Sequence, residues 1–473
     1  MAGRERTPMP KPLGRTPDSI ELDTLVQLYF SSVHHFGFFA FIHPLHFQRL
    51  LAKRKAPRDL TLIMIASAVR FAAPATPENI ARADAWADTA IASLLPRIYQ
   101  GFGAIQLMAM LLAEHYEMMR GRFTSSWLLS GSCTRMMQMM SLHTFDRTYP
   151  ANFPSQQRLS PLLSREALRR MAWCTFYLDS MIDGGRYGSH TTGERAYRLQ
   201  LPCDQESFLG NESVVTEALF PGQFPNPIAQ SLPSAPLDMS AYLLRTAAAR
   251  RRALHFAFRA SHQEQTLEQL SMGLVDIQAD IEGVVTALPR RLQFNSENMF
   301  LHRDRLITFL QLHILRHNLF IILGRAALLI YPRDPTKTEQ VAQARRSRIA
   351  HALAIAGLVS EGLGADTIFD PNVGIQSFVA LEILLFEPRR LIQTDPSTDP
   401  ATPELVVAIA HLLTVIRAIT KRSEFTRILY LEALHRLVRC DYTHLLDESD
   451  LALLRSEHSH VGQDPAEYDF RDF

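Results

Sequence analysis

The side chains best placed to do chemistry in this sequence are its histidines, its cysteines and one helical aspartate. His313 and His317 stand four residues apart, the spacing at which two imidazoles on one helix share a metal. The run His313-Ile314-Leu315-Arg316-His317 has no glutamate where a zinc-peptidase motif carries its base. Both histidines also continue the face of Leu306 and Leu310, so packed, hydrogen-bonded core residues are preferred to metal ligands. His34, His35, His43 and His46 cluster in a phenylalanine-rich stretch with no interleaved carboxylate or thiolate. Cys133, Cys174, Cys203 and Cys440 are far apart, whereas a structural zinc site wants closely spaced pairs that a short loop can bring to one tetrahedron. Free thiols are expected. Gly184-Gly185-Arg186-Tyr187-Gly188 has the composition of a phosphate loop, but it follows a helix instead of a strand and reads better as a helix stop. Asp179 lies on an apolar helix. A buried carboxylate there needs a partner, and an arginine from a neighbouring helix, in a structural ion pair, is preferred to a catalytic acid. No catalytic, cofactor-binding or metal-ligating residue is assigned.

The elements that must position these side chains read as helices throughout. From Asp18, Leu22, Leu25, Val26 and Tyr29 recur at three- and four-residue steps. Residues 34–47, with Pro44, read as a loop with short turns. Further helices are predicted over about 59–73, 78–95, 103–119, a segment starting at Thr124 or Ser125, 164–183, 238–261, 264–288, 297–329, 339–361, 372–387, 403–420 and 422–446. In the segment after Thr124, Leu129, Cys133, Met136, Met137 and Met140 form a stripe that is either core or an adaptable partner surface, with core preferred. Leu267, Leu270, Leu274, Ile277, Ile281, Val284 and Leu288 make a narrow seam, suited to a dimer or to a helix of the same chain, the latter preferred. The fold class is all-α, a large multi-helix array forming a single domain, in one body or two helical halves. Residues 186–237 are rich in loop formers, and a Pro-, Asp- and Thr-rich linker fills 388–402.

Hydrophobic residues make up 47% of the 473 and charged residues 21%, a globular balance. The net charge of +1 carries no basic excess of the kind duplex DNA selects. Residues 1–18 read as a disordered basic leader, with Arg4, Arg6, Lys11 and Arg15 among prolines and no apolar signal core. The run Leu319 to Tyr331 is short for a bilayer and carries Arg325, so neither a secreted nor a membrane protein is expected. The tail, 447–473, mixes eight acids with Leu451, Leu453, Leu454, Tyr468, Phe470 and Phe473, a solvated tail or a segment that folds on a partner.

Several stretches resemble, in order, the regulatory middle homology region of fungal zinc-finger transcription factors. Leu25 to Leu51 is similar to its opening helix and docking loop, Leu60 to Ala72 to its small-residue helix, and Trp127 to His143 to the segment ending in a leucine–histidine pair. Arg169 to Phe208 is the most specific piece, with paired arginines, Trp173, Asp179 and then Leu201-Pro202-Cys203 ahead of an acidic run. Ala287 to Phe294 and Leu312 to Leu328 resemble the later part. The version with Gly184-Gly185 and the downstream LPC segment looks closer to members with two-Cys two-His fingers. The resemblance implies a regulatory domain over 19–446 and a nuclear regulator of RNA polymerase II transcription of a metabolic or biosynthetic gene set. It implies partners in the transcription machinery or other regulators, homo- or heterodimer contacts, and no enzymatic role. The family's zinc belongs to a DNA-reading module upstream; only about eighteen residues precede the resemblance here, none of them cysteine, so no cofactor is assigned to this chain and DNA contact is expected to be indirect or weak. The alternative is a small-molecule-binding protein or enzyme on an all-helical scaffold, with His35, His43, Asp179 and His313 as residues a pocket would have to join.

Overall fold

The chain enters its first helix at Asp18, whose carboxylate accepts the amides of Ile20 and Glu21 at 3.1 and 2.9 Å and so satisfies two of the donors a helix start leaves open. The structure, a computed structural model, describes residues 17–36, 39–148, 161–182, 190–212, 214–220, 236–392 and 402–458. The basic leader up to residue 16, the glycines at 184, 185 and 188, most of the 388–402 linker and the end of the acidic tail lie outside the described residues.

The described residues fold as an all-helical array with no strand; two isolated bridges, Gln200 with Ala218 and Cys203 with Leu237, are its extended pairings. The order is α1 (Ser19–Ser31), α2 (Pro44–Ala52), α3 (Arg58–Phe71), α4 (Pro77–Ile98), α5 (Ala104–Met119), α6 (Phe123–Met139), α7 (Phe145–Thr148), α8 (Arg165–Ile182) and α9 (Gln205–Gly210). There follow α10 (Met239–Ser261), α11 (Leu267–Thr286), α12 (Ser296–Leu301), α13 (Leu306–Ile330), α14 (Thr338–Gly364), α15 (Asn372–Ile392), α16 (Pro403–Thr420), α17 (Glu424–Arg439) and α18 (Glu448–His458). α3 is buried from Asp59 through Phe71, as a helix apolar on all sides must be.

Several boundaries differ from expectation for local reasons. Pro44 begins a helix instead of interrupting a loop, because the first helical position needs no amide and His43 Nδ1 caps the turn by accepting the amide of His46 at 3.4 Å. α6 starts at Phe123, ahead of Thr124 and Ser125, and has no side-chain cap. The stretch from 297 breaks into α12, a short 3-10 turn at Arg303–Arg305 and α13. α15 runs through Pro388 to Ile392, and a helix, α18, occupies the start of the acidic tail. There Asp450 is buried under Arg417 and the Tyr430 hydroxyl, so one acid of that segment is held by the helical body.

One apolar core joins α1 to α9 with the first half of α10 and with α13 to α17; a second, smaller core fills the angle between α10, α11 and the later half of α13. The Leu270, Leu274 and Ile281 seam is spent in that second core, against Phe256 and Leu319 of the same chain. Two helical segments, Arg303–Arg333 and Pro403–Thr420, are long and apolar enough to cross a bilayer; the apolar window of the first is 72% buried among other helices, as a core helix requires.

Two glycines of α14 test this packing in opposite directions. A methyl at Gly362 would sit 2.4 Å from Phe369 Cζ and 2.9 Å from Leu310 Cδ1, both in the core, while Gly357 is exposed with nothing within 4 Å. Gly357→Ala should gain about 1 kcal/mol of helix propensity. Gly362→Ala should lose stability, its overpacking cost of about 1–3 kcal/mol exceeding the same gain. Urea denaturation of the two variants checks this; equal shifts of the same sign would contradict the crossing.

Candidate functional site

The densest buried chemistry lies along α8. Successive apolar residues of this helix are interrupted by Glu166, Arg169, Arg170, Asp179 and Ser180, all buried, so each must find a partner inside the protein. Arg169 grips Asp146 in a bidentate fork, Nε to Oδ2 and Nη2 to Oδ1, both at 2.9 Å. The Asp146 carboxyl is held below the usual carboxylate range: burial pushes it up, but the Arg169 and Arg165 guanidiniums and the amide of Gln200 more than offset that. Glu166 accepts from Arg170 Nε at 2.9 Å and from the amide of Cys203 at 3.0 Å, and also pairs with Arg169. Arg170 then donates to the carbonyls of Ala40 at 3.1 Å and Cys203 at 2.8 Å and lies over the Phe208 ring. Trp173 donates its indole N–H to the Gln200 carbonyl at 2.8 Å and stacks on Tyr197.

The pieces of the Arg169–Phe208 stretch singled out in sequence are therefore one object in space. The segment from Tyr197 to Asp204, ahead of α9, has almost no secondary structure of its own, and α8 supplies donors and acceptors to its backbone. Two residues of this set were not included by sequence reasoning, Glu166 and Asp146, the latter at 4% exposure the anchor of the fork. Nothing in its surroundings, Phe145-Asp146-Arg147, marks it.

Asp179 has the arginine partner expected of it. Arg251 of α10, 1% exposed at its side chain, places Nη2 at 3.2 Å from Asp179 Oδ2 and donates to the Thr192 carbonyl at 2.8 Å, while Asp179 Oδ1 accepts the Thr191 amide at 3.3 Å. The neighbouring Arg250 donates to the Ser180 carbonyl at 3.0 Å, in the last turn of α8 where partial negative charge accumulates, and to Asn318 Oδ1 of α13 at 3.2 Å. Arg252 pairs with Glu194 and with Asp280 of α11. Three consecutive arginines thus point about 100° apart around α10 and tie it to three places. The signal was available: three arginines in a row on an alanine-rich helix cannot all face water.

The histidines are dispersed. His34 and His313 each donate a ring N–H to a backbone carbonyl, Ile42 at 3.3 Å and Leu292 at 3.0 Å. His43 uses Nδ1 as the cap of α2, so Nε2–H donates to the Leu209 carbonyl at 3.3 Å. His317 meets His351 of α14, Nδ1 to Nδ1, at 2.9 Å, instead of sharing an ion with His313. Burial lowers the pKa of His35, His43 and His317 to about 4 and of His313 to about 3, so all four are neutral at pH 7. His35, His43, Asp179 and His313 line no common pocket among the described cavities. The four cysteines are free and buried, and among the described residues no group of three His, Cys, Asp or Glu is arranged to hold a metal, so the donor set does not fit zinc.

Glu114 of α5 is another buried acid that no sequence argument singled out. Burial pushes its carboxyl to about 8, against smaller lowering by Ser130 and Cys133. The methionine stripe of α6 is core at Leu129, Cys133, Met136 and Met137. Met139 of the same helix, outside that stripe, is 75% accessible, and with Tyr99, Trp127 and Leu128 it rims a surface groove of about 520 Å³ floored by Met136. That groove, apolar except for Arg135 and the small hydroxyls of Ser132 and Thr191, has the composition of a surface that buries a partner's side chains.

Residues 26–247, from α1 through the first third of α10, match the family model described as fungal specific transcription factor domain. The chain is 28% identical over 202 residues to an uncharacterized transcriptional regulatory protein of Schizosaccharomyces pombe, covering 41% of this chain and 28% of that protein. It is 24% identical over 361 residues to a Zn(2)-C6 fungal-type transcription factor of Fusarium oxysporum f. sp. lycopersici, covering 71% of this chain and 37% of that one. A citrinin biosynthesis transcriptional activator of Monascus ruber is 26% identical over 110 residues, 23% of this chain and 21% of its own. The chain spans less than half the length of these relatives. The Fusarium relative is named for a Zn(2)-C6 module, not for the two-Cys two-His fingers toward which the LPC segment leaned. No solved structure matches.

Two measurements probe the buried charges. Asp179→Ala strands the Arg251 guanidinium and should cost about 3–5 kcal/mol, whereas Asp179→Ala with Arg251→Met should recover a large part of that loss; strictly additive losses in denaturant titrations would show that the two do not work as a pair. For Glu114, the folded acid stays protonated while the unfolded one ionises, so its burial erodes stability progressively from about pH 4.5 to about pH 8 and no further. Glu114→Gln should remove that slope and leave the variant a few kcal/mol more stable than the parent at pH 8, read from denaturation curves across the interval.

Proposed function

We propose that this chain, whose residues 26–247 carry a fungal specific transcription factor domain, regulates transcription through protein contacts made by its helical body. Residues 19–446 are the working regulatory body, 1–18 a basic leader and 447–473 an acidic, partly docked tail. The observation that carries the reading is the family match, laid over a helical array whose buried ions are spent on joining helices to each other. The site of action is the nucleus and the process RNA polymerase II transcription. The target is a metabolic or biosynthetic gene set, the reading supported by the citrinin activator among the relatives. Partners are the transcription machinery, other regulators or a second copy of the chain. The near-zero net charge argues that DNA contact by these residues alone is weak and salt-sensitive.

A tethering experiment tests this. The chain fused to a heterologous DNA-binding module, at a fungal reporter promoter bearing that module's site, should change reporter output several-fold in either direction, relative to the module alone. A fusion that is stable, nuclear and silent in both activating and repressing reporters would defeat the reading. So would a tight, sequence-selective complex of the isolated chain with duplex DNA.

A further inference from the structure

The net charge of +1 hides a local concentration of cations. Arg49, Lys53, Arg54, Lys55 and Arg58 lie between the last turn of α2 and the first residue of α3, and all five are exposed. The nearest acid in sequence, Asp59, is buried and already holds Arg97 of α4 at 2.8 Å and Ser93 at 3.1 Å. None of the five cations enters an ion pair among the described residues.

Two of these charges stand where the helices do not favour them. Arg54, at φ 54°, takes the left-handed position that closes α2, where glycine is the residue of least cost. The closure itself is made by the backbone, with the amides of Arg54 and Lys55 bonded to the carbonyls of Leu51 and Leu50 at 2.9 and 2.8 Å. Arg58 is the first residue of α3, the end at which the helix macrodipole disfavours a cation. Lysine is also scarce: it supplies five of the 49 basic residues, and two of the five flank Arg54. The ion pairs that tie helix to helix use arginine, as at Arg169 and Arg251, whereas lysine is a compact, hydrated charge suited to a phosphate met in solvent.

The shape of the corner narrows the choice of partner. Arg49 and Lys53 stand four residues apart at the end of α2, neighbours at about 6 Å along one side. Arg54 and Lys55 carry the row through the turn, and Arg58 continues it onto α3. No large apolar side chain is exposed between residues 49 and 58; Leu50 and Leu51 are half-buried against the core. An acidic–aromatic peptide draws its affinity from apolar anchors, and this corner has no place for them. A receptor that reads a basic run as extended chain would first have to undo the closure of α2. A nucleic-acid backbone needs neither, only cations in a row facing solvent.

We propose that the corner between α2 and α3 holds the phosphate backbone of duplex DNA without reading its sequence. The proposal rests on the transcriptional reading and gives it a DNA-facing surface. Contacts of this kind fix how a protein lies on the duplex and leave the choice of site to base-reading elements elsewhere. With the remaining charges nearly balanced, the hold is weak, with a dissociation constant on the order of 10 μM at moderate salt.

Fluorescence anisotropy of two labelled duplexes of unrelated sequence, titrated with the full chain at about 50 to 200 mM salt, tests it. The two should bind alike, and log affinity should fall with log salt at a slope of about −3 to −5. Lys53→Gln, Arg54→Gln and Lys55→Gln together should weaken binding at least about tenfold at low salt and flatten the slope by about 3; Arg49→Gln with Arg58→Gln should flatten it by about 2. The same charge removed elsewhere, as Arg290→Gln, Lys421→Gln and Arg439→Gln, should leave the slope unchanged. All these side chains are exposed, and circular dichroism checks that each variant is folded. Tethered through a heterologous DNA-binding module, the triple corner variant should keep the parent's reporter output, so a failed duplex titration and a failed tethering experiment are separate results. No binding at low salt, equal losses in the corner and control variants, or a strong preference for one duplex would overturn the proposal. So would displacement of the duplex by polyglutamate at equal charge concentration, which would assign the corner to an acidic protein partner.

Discussion

The structure depends on one constraint: α8 carries four buried charges, Glu166, Arg169, Arg170 and Asp179, through an apolar core, and each is met at least in part by another element. Glu166, Arg169 and Arg170 recruit Asp146 and the backbone of Gln200, Cys203 and Ala40. Asp179 and Ser180 recruit Arg250, Arg251 and the backbone of Thr191 and Thr192. An apolar α8 would bury as well in many orientations. This one fits in a single register, because any rotation or slip would leave a charge in low dielectric without a partner, at a cost of several kcal/mol per ion. Buried ion pairs add little net stability over apolar isosteres, so their contribution here is to uniqueness: they decide which loop lies on which helix.

That role makes the Arg169–Phe208 stretch one object in space. Its residues are distant in sequence and have different chemistry, yet they satisfy one another. The matched region, 26–247, ends within α10 just short of Arg250-Arg251-Arg252. The three arginines carry the same lattice into the second half of the molecule, where Arg252 meets Asp280 of α11 and Arg250 meets Asn318 of α13. The two apolar cores are thereby joined by charge as well as by the continuous helices α10 and α13 that run through both.

The charges around Glu387 follow a looser logic. Along α8 each cation has an acid or carbonyl in reach, and the books close within the protein. Around Glu387 three guanidiniums contact one carboxylate, and one of the three, Arg390, stays largely in solvent. The dispersed histidines follow the α8 pattern, since His34, His43 and His313 each end on a backbone carbonyl.

What the residues alone determined is the helical class and most helix positions, because a 3.6-residue apolar rhythm is a local property, as in Leu25, Val26 and Tyr29 of α1. They also determined that Asp179 needed a cation, because desolvation of a carboxylate is unfavourable wherever it occurs. Which cation, Arg251, was decided only in three dimensions, since seventy-two positions separate the two. The same holds for Asp146, which looks like an ordinary surface acid until the fold seals it, and for Met139, exposed beside a stripe that turns inward at Met136 and Met137. The start of α2 at Pro44 depended on a histidine cap that periodicity does not register.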